Sequence, residues 1–201
     1  MVSHDPSVEG AGGDRMWIVR TPDSAEVYPL AIDEQLPVFI DQHREMLGLL
    51  LDGLTDEEAR RSLVPSTTTL LGLVKHAAFV ERVWFGQAVT GRSRTDLGIA
   101  ADPEESFGLV AEDTISSVLA DHQRAVTESR EAVAPLSLDD ELPGNRRGPL
   151  PLRWVYLHVL RELAQHCGHG DILREQVLAS RDSAPRSDQG YTRLSRQGPE
   201  H

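Results

Sequence analysis

Apolar residues recur at helical spacing in four stretches of the chain, and strand-type alternation is essentially absent. The first stretch covers residues 33–51 and closes at Gly53, a residue suited to the left-handed turn that follows a helix. A short helical turn over 56–61 comes next and is stopped by Pro65. The second long stretch covers 69–90, with Ser66 to Thr69 available as caps and Gly91 beyond its end. The third, 114–134, meets Pro135, and the fourth, 152–179, begins after Pro143-Gly144 and Pro149-Leu150-Pro151. No internal repeat is apparent. Four amphipathic helices of roughly five to seven turns predict an all-α fold, a four-helix bundle.

The ends lack this period. Residues 1–31 carry Gly10, Gly12, Gly13, Pro22 and Pro29 among scattered charges and read as an N-terminal arm, with a short strand at Trp17-Ile18-Val19 or docking of Trp17 as the ordered alternatives. Residues 180–201, rich in Arg, Ser, Asp, Gln, Gly and Pro, read as a flexible tail. The expected bundle is therefore 32–179.

Composition narrows the function. The chain has 201 residues, with 32 acidic against 20 basic side chains and a net charge of −12. That balance opposes attraction to nucleic acid or to anionic lipid unless basic residues are concentrated, and the longest basic cluster is the pair Arg146-Arg147. No apolar run reaches the ~18–20 residues of a membrane span, and the acids Asp5, Glu9, Asp14 and Asp23 break any signal-peptide pattern. The expectation is a cytoplasmic protein with no nucleic-acid or membrane partner. The single cysteine, Cys167, excludes an intrachain disulfide and a multi-cysteine zinc knuckle.

Charge is also unevenly spread. Residues 101–142 hold 11 acidic and 2 basic side chains, whereas 146–181 hold 6 arginines against Glu162, Asp171 and Glu175. The fourth helix thus lies in a locally basic neighbourhood, which favours an anionic substrate.

That helix carries the densest polar pattern, with His158, Glu162, His166 and His169 spaced by four, four and three. At about 100° per residue, Val155, Val159, Leu163, Gly170, Leu173 and Val177 form one apolar stripe. His166 falls inside it, Glu162 on its border, and His158 and His169 further round. On the second helix His76 projects from the same side as Leu73, Val80, Val83 and Trp84. Ionisable groups aimed at a core are costly unless paired or metal-bound. Glu162 and His166, at i and i+4, can bring two donors to one point and His76 can supply a third; such a set leaves positions open for water or substrate and suits zinc, iron or another divalent ion.

Blander roles stand beside these. Taken alone, His76 reads first as a hydrogen-bonded core residue, and Glu162 also as a helix cap or a partner of Arg161 or Arg82. His158 and His169 read as cleft-lining or solvated, Cys167 as a packing residue, and Trp84, Phe85 and Trp154 as core or cleft walls. His43 and His122, with charged neighbours, read as outer-face positions.

Several segments together resemble a known group of proteins. They are Gly53-Leu54-Thr55-Asp56-Glu57-Glu58-Ala59-Arg60, Leu70-Leu71-Gly72-Leu73-Val74-Lys75-His76, Val80-Glu81-Arg82-Val83-Trp84-Phe85, and Leu152-Arg153-Trp154 with His158, Glu162 and His166-Cys167-Gly168-His169-Gly170-Asp171. Over residues 33–178 the chain resembles the DinB-like superfamily, and within it the mini-circle-protein branch related to mycothiol-dependent maleylpyruvate isomerase. The resemblance implies a four-helix bundle holding a divalent metal through His76, Glu162 and His166. Many members have histidine where this chain has Glu162, and asparagine where it has Cys167. Zinc is the first ion implied, with nickel or iron as alternatives, and mycothiol is the implied thiol cofactor. Arg153 and His169 are the implied cofactor- or substrate-orienting residues, and no catalytic residue is assigned.

The activity so implied is a metal-dependent transferase or isomerase joining a low-molecular-weight thiol to a small, anionic electrophile. A non-enzymatic metal-binding stress-response protein and a metal-dependent hydrolase are the alternatives. The small-molecule substrate and the thiol are the expected partners, and a homodimer is open. With one cysteine in the chain, a nucleophilic thiol would come from the cofactor.

Overall fold

Side-chain caps set where most of the helices begin. The computed structural model describes residues 24–182. Helix α1 (Ser24–Val27) is one turn with Val27 buried, and α2 (Ile32–Leu49) starts where the Ala31 N–H donates to the Glu34 carboxylate. Helix α3 (Asp56–Ala59) has a reciprocal cap: Thr55 Oγ1 accepts from the Glu58 N–H while the Glu58 carboxylate accepts from the Thr55 N–H. Thr69 caps α4 (Leu70–Glu81), its Oγ1 accepting from the Gly72 N–H at 3.0 Å. The chain continues through a π-helical segment, Arg82–Gln87, into α5 (Ala88–Thr90), which stops at Gly91 in the left-handed region with φ +71°. Thr114 caps α6 (Ile115–Val133), and α7 (Leu152–Asp182) is the longest helix, 31 residues.

The four long stretches expected from the sequence are therefore α2, α4 with its π segment and α5, α6, and α7. Their inner faces make one core. Helix α7 packs along α2 and α6 along α4, with α4 also facing α7. Ile40 and Leu47, Leu73, Val74 and Ala77, and Val155, Val159 and Leu163 are all inaccessible to solvent at the centre. Gly170 lets α7 approach α2 closely, since a Cβ there would lie 2.2 Å from Leu50 Cδ1. A buried ion pair ties α2 to α4: Arg44 donates from Nε and Nη2 to the two oxygens of Glu81, at 2.9 and 2.6 Å, and Glu81 is wholly inaccessible.

Two expectations need correction. An antiparallel hairpin, β1 (Glu141–Asn145) and β2 (Gly148–Pro151), precedes α7 where strand alternation was thought absent. Its prolines and glycines read as helix punctuation, yet Leu142 pairs with Leu150 and both are buried. His122, assigned to an outer face, is buried on α6. Asp121 faces outward to pair with Arg82 and Arg124, and one residue further turns about 100° on a helix, which carries His122 inward. His43 is half-buried, with Nδ1 2.6 Å from the Phe39 carbonyl oxygen.

The strand considered at 17–19 and most of the expected tail lie outside the described residues. Among the described residues, no helix is long and apolar enough to cross a membrane.

Candidate metal centre

The three expected ligands come together. His76 on α4 and Glu162 and His166 on α7 each present one donor atom, and these atoms lie within 4.8 Å of one another. The i, i+4 spacing on α7 stacks Glu162 and His166 over one point, and the α4–α7 contact brings His76 to it.

Hydrogen bonds fix the tautomer of His76. Ser106, in the 3₁₀ turn Glu105–Phe107, donates its only hydroxyl proton to the Pro103 carbonyl at 2.5 Å. Its oxygen must therefore accept from His76 Nδ1–H, 2.6 Å away. The other nitrogen, Nε2, is left with a free lone pair. Phe107 stacks on the same imidazole, with ring centroids 3.9 Å apart and planes 10° apart, so the turn holds the ring by both bond and face.

His158 has the opposite tautomer. A guanidinium cannot accept, so Arg161, 2.7 Å from His158 Nδ1, donates to it. The proton of His158 is then on Nε2, which lies 3.7 Å from Glu162 Oε1. The ring is walled by Trp84 and by Trp154, the latter stacked at 4.9 Å and 8°. His158 is thus a buried neighbour of the carboxylate; Trp84 lines the cleft, whereas Trp154 is exposed and covers the other side of the His158 ring.

Glu162 and His166 are the unsatisfied members. Glu162 accepts no hydrogen bond among the described residues; its nearest cationic or imidazole nitrogens stand at 3.7 Å (His158), 3.8 Å (His166) and 3.9 Å (Arg161). Arg82, weighed as its partner, holds Asp121 instead. His166 Nδ1 is buried with no hydrogen-bond partner among the described residues. Burial draws the pKa of His76 down to about 3, reinforced by His166, and that of His166 down to about 4, reinforced by His169. Both imidazoles are therefore neutral at pH 7, the form a metal requires.

These residues fit a divalent cation. Tetrahedral ligands about 2.1 Å from zinc stand ~3.4 Å apart, so small side-chain rotations would close the triad on an ion. A carboxylate with no hydrogen bond and two neutral imidazoles beside it are groups that a cation satisfies.

The two expected orienting residues separate. His169 is exposed beside the triad, its ring 5.8 Å from that of His166. Arg153 is exposed at the start of α7, pairs with Asp139, and lies nine residues before Glu162, roughly 14 Å along the helix axis. Cys167 is buried; its sulfur contacts the His43 carbonyl at 3.6 Å, and burial, with Asp171, pushes its thiol pKa up to about 11.

Ser106, Phe107 and Arg94 join the site without having been singled out. Ser106 and Phe107 sit in an acidic loop 30 and 31 residues after His76, and no spacing rule connects them to it. Arg94 and the hairpin residues Arg146 and Arg147 line the cleft that opens beside His76 and Glu162. Of these, only the Arg146-Arg147 pair had a sequence signal, as the longest basic cluster.

The family model described as Mycothiol-S-transferase matches residues 35–179. No curated protein matches the chain.

Proposed function

The chain belongs to the mycothiol S-transferase family, a DinB-like family, and we propose that it transfers the thiol of mycothiol to a small electrophile using a divalent cation held by His76, Glu162 and His166. The convergence of these three donors within 4.8 Å carries the reading. Bound there, the cation would act as a Lewis acid that favours the thiolate near neutral pH.

The chain's own residues supply the rest. Ser106 holds His76 in the tautomer that presents Nε2. His158, fixed by Arg161, stands behind the Glu162 carboxylate. His169, at the exposed edge beside His166, is placed to meet the cofactor as it enters. Cys167 is buried and protonated at pH 7, so it is no competing nucleophile; this supports a thiol that arrives from outside. Arg153 is engaged by Asp139, away from the triad. The donor set suits zinc, and nickel or iron also accept two imidazoles and a carboxylate.

The test combines elemental analysis with turnover. Protein purified without chelator should carry about one equivalent of metal, lose it in His166→Ala, and consume an electrophile only with mycothiol present. Unchanged metal content in His166→Ala overturns the site. Turnover without any thiol identifies a hydrolase, and stoichiometric metal with no thiol-dependent turnover over an electrophile panel identifies a metal-binding protein without this activity.

A further inference from the structure

We infer that Arg146 and Arg147, at the hairpin tip, together with Arg94 form an oxyanion subsite beside the metal triad, and that the electrophile is a carboxylate-bearing molecule. This deepens the transferase reading and rests on it for the identity of the occupant as substrate.

Among the described residues most arginine side chains have a partner: Arg60, Arg61, Arg92 and Arg174 hold carbonyl or hydroxyl oxygens, and others hold acids. Arg44, Arg82, Arg124, Arg130, Arg153 and Arg181 each hold a carboxylate, as expected in a chain with 12 more acids than bases. The cleft arginines differ. Arg146 has no hydrogen bond or ion pair among the described residues. Arg147 uses only its backbone N–H, given to Asn145 Oδ1, while its guanidinium lies 6.0 Å from the Trp84 ring centroid. Arg94 donates to the Ala101 carbonyl and lies over Phe79 at 5.3 Å, with no acid beside it. One acid, Glu162, lines the same cleft, and it is a metal donor. Three arginines therefore line a cleft that holds one carboxylate.

The hairpin places this charge. Leu142 and Leu150 bury one face of it. Gly144 and Gly148 adopt φ +79° and +84°, and a Cβ on Gly144 would fall 1.8 Å from the Gly148 carbonyl oxygen. The tip between them is thus held to one path, with its two arginines at the cleft wall. The cleft is open to solvent and has a volume of about 150 Å³, which suits a small molecule. Planar guanidinium forks match the two oxygens of a carboxylate. Water at the rim screens the attraction, so the subsite discriminates by charge rather than by tight binding.

Calorimetric titration of the metal-loaded protein with succinate, dimethyl succinate and inorganic phosphate tests this, repeated after chelation. We expect succinate to bind, the neutral ester not to bind, and phosphate to bind more weakly than succinate. The double variant Arg146→Gln/Arg147→Gln should weaken succinate about tenfold, Arg94→Gln should weaken it less, and Arg124→Gln on α6 should leave it unchanged. The hairpin arginines are exposed, so circular dichroism of the double variant should match the parent.

Equal binding in the double variant, equal binding of acid and ester, or loss of all succinate binding on chelation with no arginine dependence would each overturn the subsite. Tighter phosphate than succinate would overturn the carboxylate assignment. Thiol-dependent turnover measured on the same preparations separates the two proposals. Its absence with arginine-dependent succinate binding sinks the transferase and leaves the anion site; its presence with arginine-independent binding sinks the anion site alone.

Discussion

At the scale of single residues, the site depends on a hydroxyl that touches no ligand position. Ser106 fixes His76 through one accepted and one donated hydrogen bond. Partners of this kind, behind metal-binding histidines, typically change affinity by about 10–100-fold when removed. Ser106→Ala should therefore lower metal affinity by about one order of magnitude in competition with a fluorescent chelator, and Ser106→Thr, which keeps the hydroxyl, should recover most of it. Unchanged affinity in the alanine variant would show that Phe107 stacking alone orients the ring. The clustering of candidate donors on α7 was legible in the sequence because Glu162 and His166 share a helix and obey its period. Ser106 was not, because it comes from a different loop and only the folded chain brings it to His76.

His122 makes a second prediction at this scale, about pH. Burial lowers its pKa to about 4 from 6.5; the fields of Arg44 and Arg82 add to this, and those of Glu81 and Asp121 oppose it. The unfolded chain then binds more protons than the folded one between those values, so stability falls as pH drops from about 6.5 toward 4 and levels off below. A shift of this size corresponds to roughly 3 kcal/mol at full effect. His76 and His166 shift in the same direction in the metal-free chain, so the variant comparison isolates the one residue. His122→Leu should lose less melting temperature between pH 7 and pH 4.5 than the parent does; equal losses would mean that His122 does not titrate in this range.

At the scale of elements, helix starts and stops followed chemistry that a linear reading can see. Thr69 and Thr114 cap where a threonine precedes a run with apolar period, Thr55 caps an acidic first turn as the box Thr55-x-x-Glu58, and Gly91 ends the second stretch. The π segment Arg82–Gln87 left no mark because it keeps an apolar period while widening the turn around Val83, Trp84 and Phe85. The hairpin was missed for a different reason: its ladder is short, includes an irregularity between Leu142 and Asn145, and contains three prolines. Its shape hangs on Gly144, where positive φ and the approach of Gly148 both exclude a side chain. Gly144→Ala should keep the helical circular dichroism signal, lower the melting temperature by several degrees, and expose the 141–151 segment to limited proteolysis. A variant with parental protease resistance would show that the turn relaxes around the methyl group without releasing the hairpin.

At the scale of the whole molecule, charge and packing divide the work. The acidic segment 101–142 includes the loop beside His76 and all of α6, while Arg94, Arg146 and Arg147 line the cleft. An acidic body around a basic cleft repels most anions yet gives one that enters a place to stay. His76 and Glu162 of the candidate triad line this cleft, and the core of α2, α4 and α7 is built from apolar side chains. The bundle should consequently fold without metal, and metal should stabilise it by mass action alone. At a free metal concentration 100 times the dissociation constant, that amounts to about 2.7 kcal/mol, or a rise of roughly 5–10 °C in melting temperature for a chain of this length. Chelation should lower the melting temperature by that amount and leave helical content intact, and His166→Ala should abolish the response to added zinc. Loss of helix on chelation would place the ion among the structural elements of the fold, and a melting temperature indifferent to both chelator and zinc would remove the metal from this site altogether.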